Sequence, residues 1–112
     1  MVTRRQNSRA VVVFVTAPSG RQAARLARDL VRRRVAACVN VIPQVESVFW
    51  WKGAIDRCRE SLLVIKTSAS CVPRLKAVVL QLHPYEVPEF LALPILSGHQ
   101  PYLKWIQTSV LP

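Results

Sequence analysis

The sequence has little glycine and little negative charge, and it lacks the long apolar runs of membrane proteins. Three glycines stand against eight prolines in 112 residues, so stiff connections between elements are expected. No apolar run approaches the roughly 18 residues that a membrane helix needs, so we expect no membrane span. A hydrophobic fraction of 51% with a charged fraction of 20% is typical of a folded chain rather than a disordered one.

Motifs of the common enzyme classes are also missing. There is no G-x-S-x-G elbow, no phosphate-binding P-loop and no Cys/His pair at a recognisable spacing, so we expect a binding protein and not an enzyme. Cys38, Cys58 and Cys71 contain no Cys-x-x-Cys pair, which argues against a zinc ribbon or redox motif. Their odd number favours a reducing compartment, and we therefore expect a cytoplasmic location.

Positive charge is the strongest signal in the composition. Sixteen basic residues against six acidic ones give a formal charge of +10, which favours nucleic acids or anionic surfaces as partners. Residues 1–9 are basic but are not followed by a sufficient apolar segment or a cleavage site. We interpret them as a flexible basic N-terminal arm and not a signal peptide, ahead of a single domain at residues 10–112.

The hydrophobic pattern predicts the element order βαββαβ followed by a short C-terminal helix. Ser19 is a suitable N-cap for the first helix, over residues 21–34, and His83 with Pro84 ends the second. Pro43 requires a bulge or an edge position in its strand. The predicted strands are residues 10–17, 36–51, 58–68 and 90–96.

Right-handed crossovers around the two main helices place both helices on one face of an antiparallel four-stranded sheet. This is a ferredoxin-like α+β fold. In the third strand, Leu62 and Val64 point to one face while Leu63 and Ile65 point to the other. Because both sets are apolar, the face without helices also needs a cover, and partner subunits would supply it.

The segment from His83 to Glu89 holds an imidazole, a phenol and two carboxylates between rigid prolines. These ligand types suit a borderline metal such as Cu(II) or Zn(II). The alternative is a rigid connection whose carboxylates cap or pair locally. Glu86 and Glu89 could also act as acid and base, although nothing in the sequence places a substrate between them.

A ligand cleft would draw on Lys66, Trp51, Tyr85 and Tyr102. Lys66, near the end of an apolar strand, either extends to the sheet edge or pairs with a carboxylate in the cleft. Trp51 and its neighbour Trp50 are candidates for the core or an interface. For Tyr102 and Trp105, packing is favoured over ligand contact.

The first helix carries a basic stripe of four arginines, Arg21, Arg25, Arg28 and Arg32, within roughly 60° of one another. The stripe fits a solvated helix face or a phosphate-binding surface, and the solvated face is favoured. In either case we expect weak binding to polyanions without sequence preference.

Several segments together resemble the signature of the CutA divalent-cation tolerance family over about residues 10 to 110. They are Ala36–Asn40 with Ile42–Pro43, Trp51–Gly53, Ile65–Thr67, His83–Glu89, Leu93–Ile95 with Gly98, and Tyr102 with Trp105. The resemblance implies a ferredoxin-like fold related to the PII signalling proteins, a tight homotrimer and a role in divalent-metal tolerance, copper above all.

The resemblance also suggests a copper site. His83 and Glu89 match the family's proposed copper-binding His and Glu, with Glu86 and Tyr85 as possible further ligands. Some members add a cysteine at the end of the first strand, where this chain has Val15, so we expect only weak copper binding. Two alternatives are a PII-like module that binds a small molecule or partner protein without a metal, and an RNA-binding domain. The RNA-binding alternative needs stacking aromatic residues on the central strands, and Leu62 to Thr67 contains none.

Overall fold

The structure is a computed structural model that describes residues 9–18 and 20–111. Ser19, Pro112 and all of the predicted arm except Arg9 lie outside the described residues. The boundary between arm and domain at residue 10 therefore stays a prediction. Within the described part of the chain, no helix is long and apolar enough to cross a membrane.

The described residues form one antiparallel sheet with helices, and the predicted ferredoxin-like α+β fold is confirmed. The sheet has the order β2-β3-β1-β4, in which every neighbouring pair is antiparallel. A short 3-10 turn, Ala69–Cys71, leads into the second helix. The strands are β1 (Ala10–Ala17), β2 (Cys38–Trp51), β3 (Ala54–Ser68) and β4 (Leu91–Pro94), and the helices are α1 (Gly20–Arg32), α2 (Val72–Leu82) and α3 (Gln100–Ser109).

The main core lies between one face of the sheet and the two helices α1 and α2. Val13 of β1 and Ile65 of β3 are fully buried there against Leu30 of α1 and Leu75 of α2. The alternation of β1 follows this division, because from Val11 to Ala17 its odd-numbered residues are buried while the even-numbered ones are half-buried. Both predicted helices therefore cover the same face.

The other face of the sheet, which we name the open face, is also apolar. Leu62 and Val64 of β3 lie half-buried on it, and Leu91 and Leu93 of β4 are exposed on it. Helix α3 packs against β1 and β3 and buries Ile106 completely. Because β4 remains exposed, α3 covers only part of the open face.

The hairpin between β2 and β3 is tighter than the sequence predicted. Its turn consists of Lys52 and Gly53, which both have positive φ, at 50° and 81°. Two such residues form the turn that matches the twist of paired strands, so β3 begins at Ala54 and not at residue 58. β2 begins at Cys38 and not at residue 36. β4 covers only Leu91–Pro94 of the predicted 90–96, as its ladder to β1 ends at Pro94.

Pro43 lies at a bulge in an edge strand, as predicted. Ile42 pairs with Leu62, but the next pair is Val45 with Glu60, so β2 holds one extra residue at this point. Before the bulge the even-numbered residues of β2 share the open face, and after it the odd-numbered residues do. Phe49 and Trp51 consequently lie on the same face as Glu60.

Beyond the bulge, residues 45–51 and 54–60 form a two-stranded ribbon that we name the hairpin arm. On one of its faces Trp50 is 73% exposed, Ile55 67% and Val48 64%. On its other face Phe49 and Trp51 are also exposed. Within the described part of the chain, apolar side chains on both faces of the arm therefore remain exposed.

Candidate functional site

A cleft lies where the hairpin arm meets the end of β1 and the loop that follows α2. Asp56, Cys58 and Glu60 alternate along β3 and point to the same face, with the loop residues Tyr85 to Glu89 beside them. The cavity has a volume of about 670 Å³. It is lined by Thr16, Ser47, Val48, Phe49, Trp51, Asp56, Cys58, Glu60, Tyr85, Glu86, Val87 and Glu89.

Negative charge is concentrated in this cleft. Four of the six acidic residues in the chain line it, namely Asp56, Glu60, Glu86 and Glu89. No lysine or arginine is among the lining residues, although the chain carries a formal charge of +10. A concave site lined by one sign of charge attracts counter-ions, so the cleft favours cations.

The best-defined contact in the cleft joins the loop to β3. The Tyr85 hydroxyl donates a 2.8 Å hydrogen bond to Glu60 Oε1, and Glu60 is only 7% exposed. Burial raises the pKa of Tyr85, and the hydrogen bond to Glu60 and the negative charge of that carboxylate raise it further. Tyr85 therefore stays protonated and holds the loop to the strand.

Glu89 lines the same cleft as Glu60. Burial of its carboxyl group raises its pKa, and the charge of Glu60 adds to this effect. A carboxyl group whose pKa is raised by burial and by a neighbouring negative charge is stabilised in its ionised form by a nearby cation. Of the predicted metal ligands, Glu89 is thus the carboxyl group with a raised pKa that a cation in the cleft would lower.

Cys58 supplies the sulfur of the cleft. Burial raises the pKa of its thiol above the ordinary 9.0, and the charges of Glu60 and Asp56 raise it further, as does a hydrogen bond with Glu60. A thiolate is the form that binds soft metals or attacks electrophiles. At neutral pH Cys58 therefore contributes a thiol and not a thiolate.

His83 uses both ring nitrogens within the protein. Its Nε2 lies 2.6 Å from the carbonyl oxygen of Thr16, and its Nδ1 accepts a 3.1 Å hydrogen bond from the Tyr85 backbone N–H. A carbonyl only accepts and an amide N–H only donates, so Nε2 carries the proton and Nδ1 carries the lone pair. That lone pair is already occupied, and His83 does not line the cleft.

The remaining loop candidates do line the cleft, together with Trp51. Tyr85, Glu86 and Glu89 are brought together there. Among residues 9–18 and 20–111, no three His, Cys, Asp or Glu side chains lie close enough together to hold one metal ion. The His83–Glu89 metal site stays a prediction, and coordination by His83 would require the Tyr85 N–H···Nδ1 bond to open.

Lys66 and Tyr102 lie elsewhere on the open face. The Lys66 ammonium donates to the side-chain carbonyl of Asn40 on the neighbouring strand, so it pairs with an amide and not with a cleft carboxylate. Tyr102 stacks at a tilt on Trp105, with ring centroids 5.5 Å apart. Burial raises the pKa of Tyr102, and the nearby Cys38 raises it further. Tyr102 thus packs α3 onto the sheet.

The four arginines of the basic stripe lie exposed on α1, opposite its buried apolar residues. Arg32 Nη1 lies 3.5 Å from Asp29 Oδ1, and its side chain remains 70% exposed. The amphipathic helix that the sequence predicted is therefore present.

Three polar residues of β3 that line the cleft were not predicted from the sequence: Asp56, Cys58 and Glu60. A strand that starts at residue 58 puts Asp56 in the preceding connection and only Cys58 and Glu60 in the strand, so the sequence does not group the three. The signal was the alternation itself, since Arg57 and Arg59 separate the three polar residues at intervals of two. A strand beginning at Ala54 puts them on one face.

Comparison with known proteins agrees with the motifs and the fold. A family model described as CutA1 divalent ion tolerance protein matches residues 11–109. Protein CutA from Mus musculus is 50% identical over 93 residues, which are 83% of this chain and 52% of the mouse protein. The divalent-cation tolerance protein CutA from Thermus thermophilus is 45% identical over 96 residues, which are 86% of this chain and 93% of that protein.

Solved structures give the same result. The crystal structure of CutA1 from Oryza sativa superposes with a TM-score of 0.89 at 42% identity, covering 92% of this chain and 94% of that one. The chain spans about half the length of the mouse relative and nearly all of the bacterial one. On the family match, the identities and the shared fold, the chain belongs to the CutA1 divalent ion tolerance protein family.

Proposed function

We propose that the protein is a homotrimeric binding and signalling-type protein of divalent-cation tolerance, which acts through assembly and ligand binding and not through catalysis. The observation that carries the proposal is the hairpin arm. Its apolar side chains are exposed on both faces, whereas the acidic cleft lies at its base. Contiguous exposed apolar surface of this kind marks protein interfaces. The number of subunits, three, follows from the family resemblance.

The arm has enough apolar surface to drive assembly. Full burial of a large apolar side chain is worth about 1.5–3 kcal/mol. Trp50, Ile55 and Val48 are roughly two-thirds exposed or more, so covering them contributes about 1–2 kcal/mol each. Every subunit would contribute this set, in addition to Leu91 and Leu93 on the open face.

Sedimentation velocity tests the assembly. We expect the parent to sediment as a trimer at micromolar concentration, and the double variant Trp50→Ser, Ile55→Ser to dissociate while remaining folded by circular dichroism. The control is Leu80→Ser on α2, which removes an exposed apolar side chain away from the arm. A parent that is a stable folded monomer would refute the proposal, as would a trimer that survives the arm substitutions.

We further propose that the cleft is where a divalent cation acts, with weak copper binding at the His83–Glu89 loop. Four carboxylates in one cavity support this proposal, as does the raised pKa of Glu89. Glu89 is the main ligand, Glu86 and Tyr85 lie within the same cavity, and His83 joins only when its bond from Tyr85 opens. Carboxylate and imidazole ligands follow the general order of divalent affinity, in which Cu(II) stands first.

Calorimetric titration with a copper salt tests this site. We expect weak binding by the parent and a clear loss in Glu89→Gln, with Glu46→Gln as the matched control because Glu46 is an exposed carboxylate outside the cleft. Val15 is fully buried on the helix-covered face, whereas Thr16 lines the cleft. A thiol added at Thr16→Cys should therefore tighten binding more than one at Val15→Cys. Equal affinity in the parent and Glu89→Gln would remove the site.

A second candidate function is a PII-like module that binds a small molecule or a partner protein without a metal. The observation that favours it is the cavity itself, whose 670 Å³ is typical of small-molecule sites and whose lining includes Phe49 and Trp51. A thermal-shift screen of small organic cations and anions separates the two candidates. The second candidate would be selected by two results together. An organic ligand would raise the melting temperature of the parent but not of Trp51→Ala, and calorimetric titration with copper would show no heat of binding.

We also propose a cytoplasmic location. Cys38, Cys58 and Cys71 are all free thiols in the structure, which suits a reducing compartment. Cell fractionation with an antibody to the natural protein tests it, and recovery from an exported or organelle fraction would contradict it.

A further inference from the structure

The two helices that cover the sheet form a strongly basic layer. Between Gly20 and Arg34, and along α2, the chain carries eight cationic side chains and a single carboxylate, Asp29. The cleft on the other side of the sheet holds four of the six acidic residues. Most of the acidic residues thus lie away from the helix layer, which has a strongly positive field.

Within this layer the basic stripe has a regular geometry. Spacings of four, three and four residues place its arginines on one line along α1, and at 1.5 Å per residue they span roughly 16 Å. Arg21, Arg25 and Arg28 have no acidic partner among the residues that the structure describes, and all are exposed. The three therefore keep their hydrogen-bond donors free for an external anion.

The arginine side chains of this surface favour a row of phosphates as the bound anion. The stripe and the two residues that follow α1 contain six arginines and no lysine, and the planar guanidinium fits phosphate oxygens in pairs. Like charges one helical turn apart repel each other, and a polyanion laid along the stripe removes this cost.

The same surface disfavours two other polyanions. The apolar residues of α1, such as Leu26 and Leu30, are buried in the core and are not free to enter a lipid interface. Neither α1 nor α2 contains an aromatic residue, so the layer has no platform on which single-stranded bases could stack. A duplex, whose phosphates lie outside and whose bases are already stacked, matches what remains.

We propose that the basic stripe of α1 binds the phosphate backbone of double-stranded nucleic acid without reading its sequence. A duplex carries one charge per roughly 1.7 Å of its axis, so the stripe faces more phosphates than it has arginines. Four neutralised phosphates per chain give a slope of about −3.6 for log affinity against log salt. Between 50 and 200 mM salt, affinity should fall by about 100-fold.

Fluorescence anisotropy with labelled duplexes of mixed sequence tests the proposal. The stripe variant is Arg21→Gln, Arg25→Gln, Arg28→Gln. Its control is Arg9→Gln, Lys52→Gln, Lys104→Gln, which removes three exposed charges from other surfaces. We expect the stripe variant to lose at least about tenfold in affinity at 50 mM salt and its slope to become shallower by about three, while the control changes both only slightly. Circular dichroism and sedimentation confirm that both variants keep the fold and assembly of the parent.

Five results would overturn the proposal. The first is an equal loss in both variants, which would mean that net charge and not the stripe is responsible. The second is selectivity between two duplexes of different sequence. The third is tighter binding to single strands, and the fourth is tighter binding to vesicles of phosphatidylserine and phosphatidylcholine than to duplex. A parent that shows no binding at 50 mM salt would also refute it.

Discussion

His83 is the residue at which the sequence-based interpretation and the structure differ most, and its replacement distinguishes them. His83 is 8% exposed, donates from Nε2 to the Thr16 carbonyl and accepts at Nδ1 from the Tyr85 N–H. A net hydrogen bond contributes about 1 kcal/mol, and the ring contact with Tyr85 at 4.7 Å contributes about 0.5–1 kcal/mol. We therefore expect His83→Ala to lower the free energy of unfolding by about 3 kcal/mol.

Two further substitutions separate the bonds. His83→Gln can place an amide N–H₂ near the position of Nε2 and so retain the bond to Thr16. His83→Asn can place an amide oxygen near Nδ1 and so retain the bond from Tyr85. Each should lose about half of the stability that the alanine variant loses, and neither supplies an imidazole to a metal.

Urea denaturation followed by tryptophan fluorescence measures these differences, at one fixed protein concentration because subunit association would couple to unfolding. The same variants are then titrated with copper. If His83→Ala unfolds with the free energy of the parent yet loses copper binding, the imidazole is a free ligand and our hydrogen-bond assignment is wrong. A large loss of stability with unchanged copper affinity would instead exclude His83 as a ligand.

Three other predictions follow from the cleft and the arm. Alkylation of Cys58, resolved by peptide mass spectrometry, should titrate above pH 9.0, and Glu60→Gln should lower its midpoint because it removes a negative charge; an unchanged midpoint would exclude that cause. Tyr85→Phe leaves the buried Glu60 carboxylate without its hydroxyl donor, so it should lower the free energy of unfolding in urea by about 1.5–3 kcal/mol. A decrease below about 0.5 kcal/mol, on the order of that for an exposed substitution, would contradict the assigned bond. Gly53→Ala should cost about 1 kcal/mol through its φ of 81° alone, since no atom lies within 4 Å of the added Cβ, whereas Gly20→Ala, equally open but without a positive φ, should cost nothing.

The fold was predictable because most of its helices and strands have a recognisable hydrophobic pattern in their own segment of the sequence. The apolar run of β1 and the spacing of Leu26 and Leu30 in α1 each indicate an element without information from elsewhere. The main error is the start of β3, because the strands predicted at 36–51 and 58–68 leave a longer connection than the structure has. A Lys52–Gly53 turn with two positive φ angles needs only two residues, and lysine gives little sign of that conformation in a sequence.

The site was predictable only in part, because its contacts join distant segments. Tyr85 and Glu89 could be singled out from their own loop, and both do line the cleft. The partners of His83 and Tyr85, Thr16 and Glu60, lie 67 and 25 positions away, and only the sheet register brings them together. Polar side chains choose partners by proximity in space, so a sequence names the candidates for a site before it shows which of them are already occupied.

The bulge at Pro43 changes which residues of β2, even-numbered or odd-numbered, point to the open face. The single extra residue changes the phase of every side chain that follows it, so that Phe49 and Trp51 line the cleft while Trp50 points away from it. The pairs Phe49 with Asp56 and Trp51 with Ala54 fix which rings face the cleft, and the bulge takes up the one residue by which β2 exceeds β3 between Ile42 and Val45. The bulge thus keeps β2 in register with β3 on both sides of Pro43. Deletion of the one extra residue there would straighten the strand and leave Trp50 and Trp51 on the faces that they now occupy.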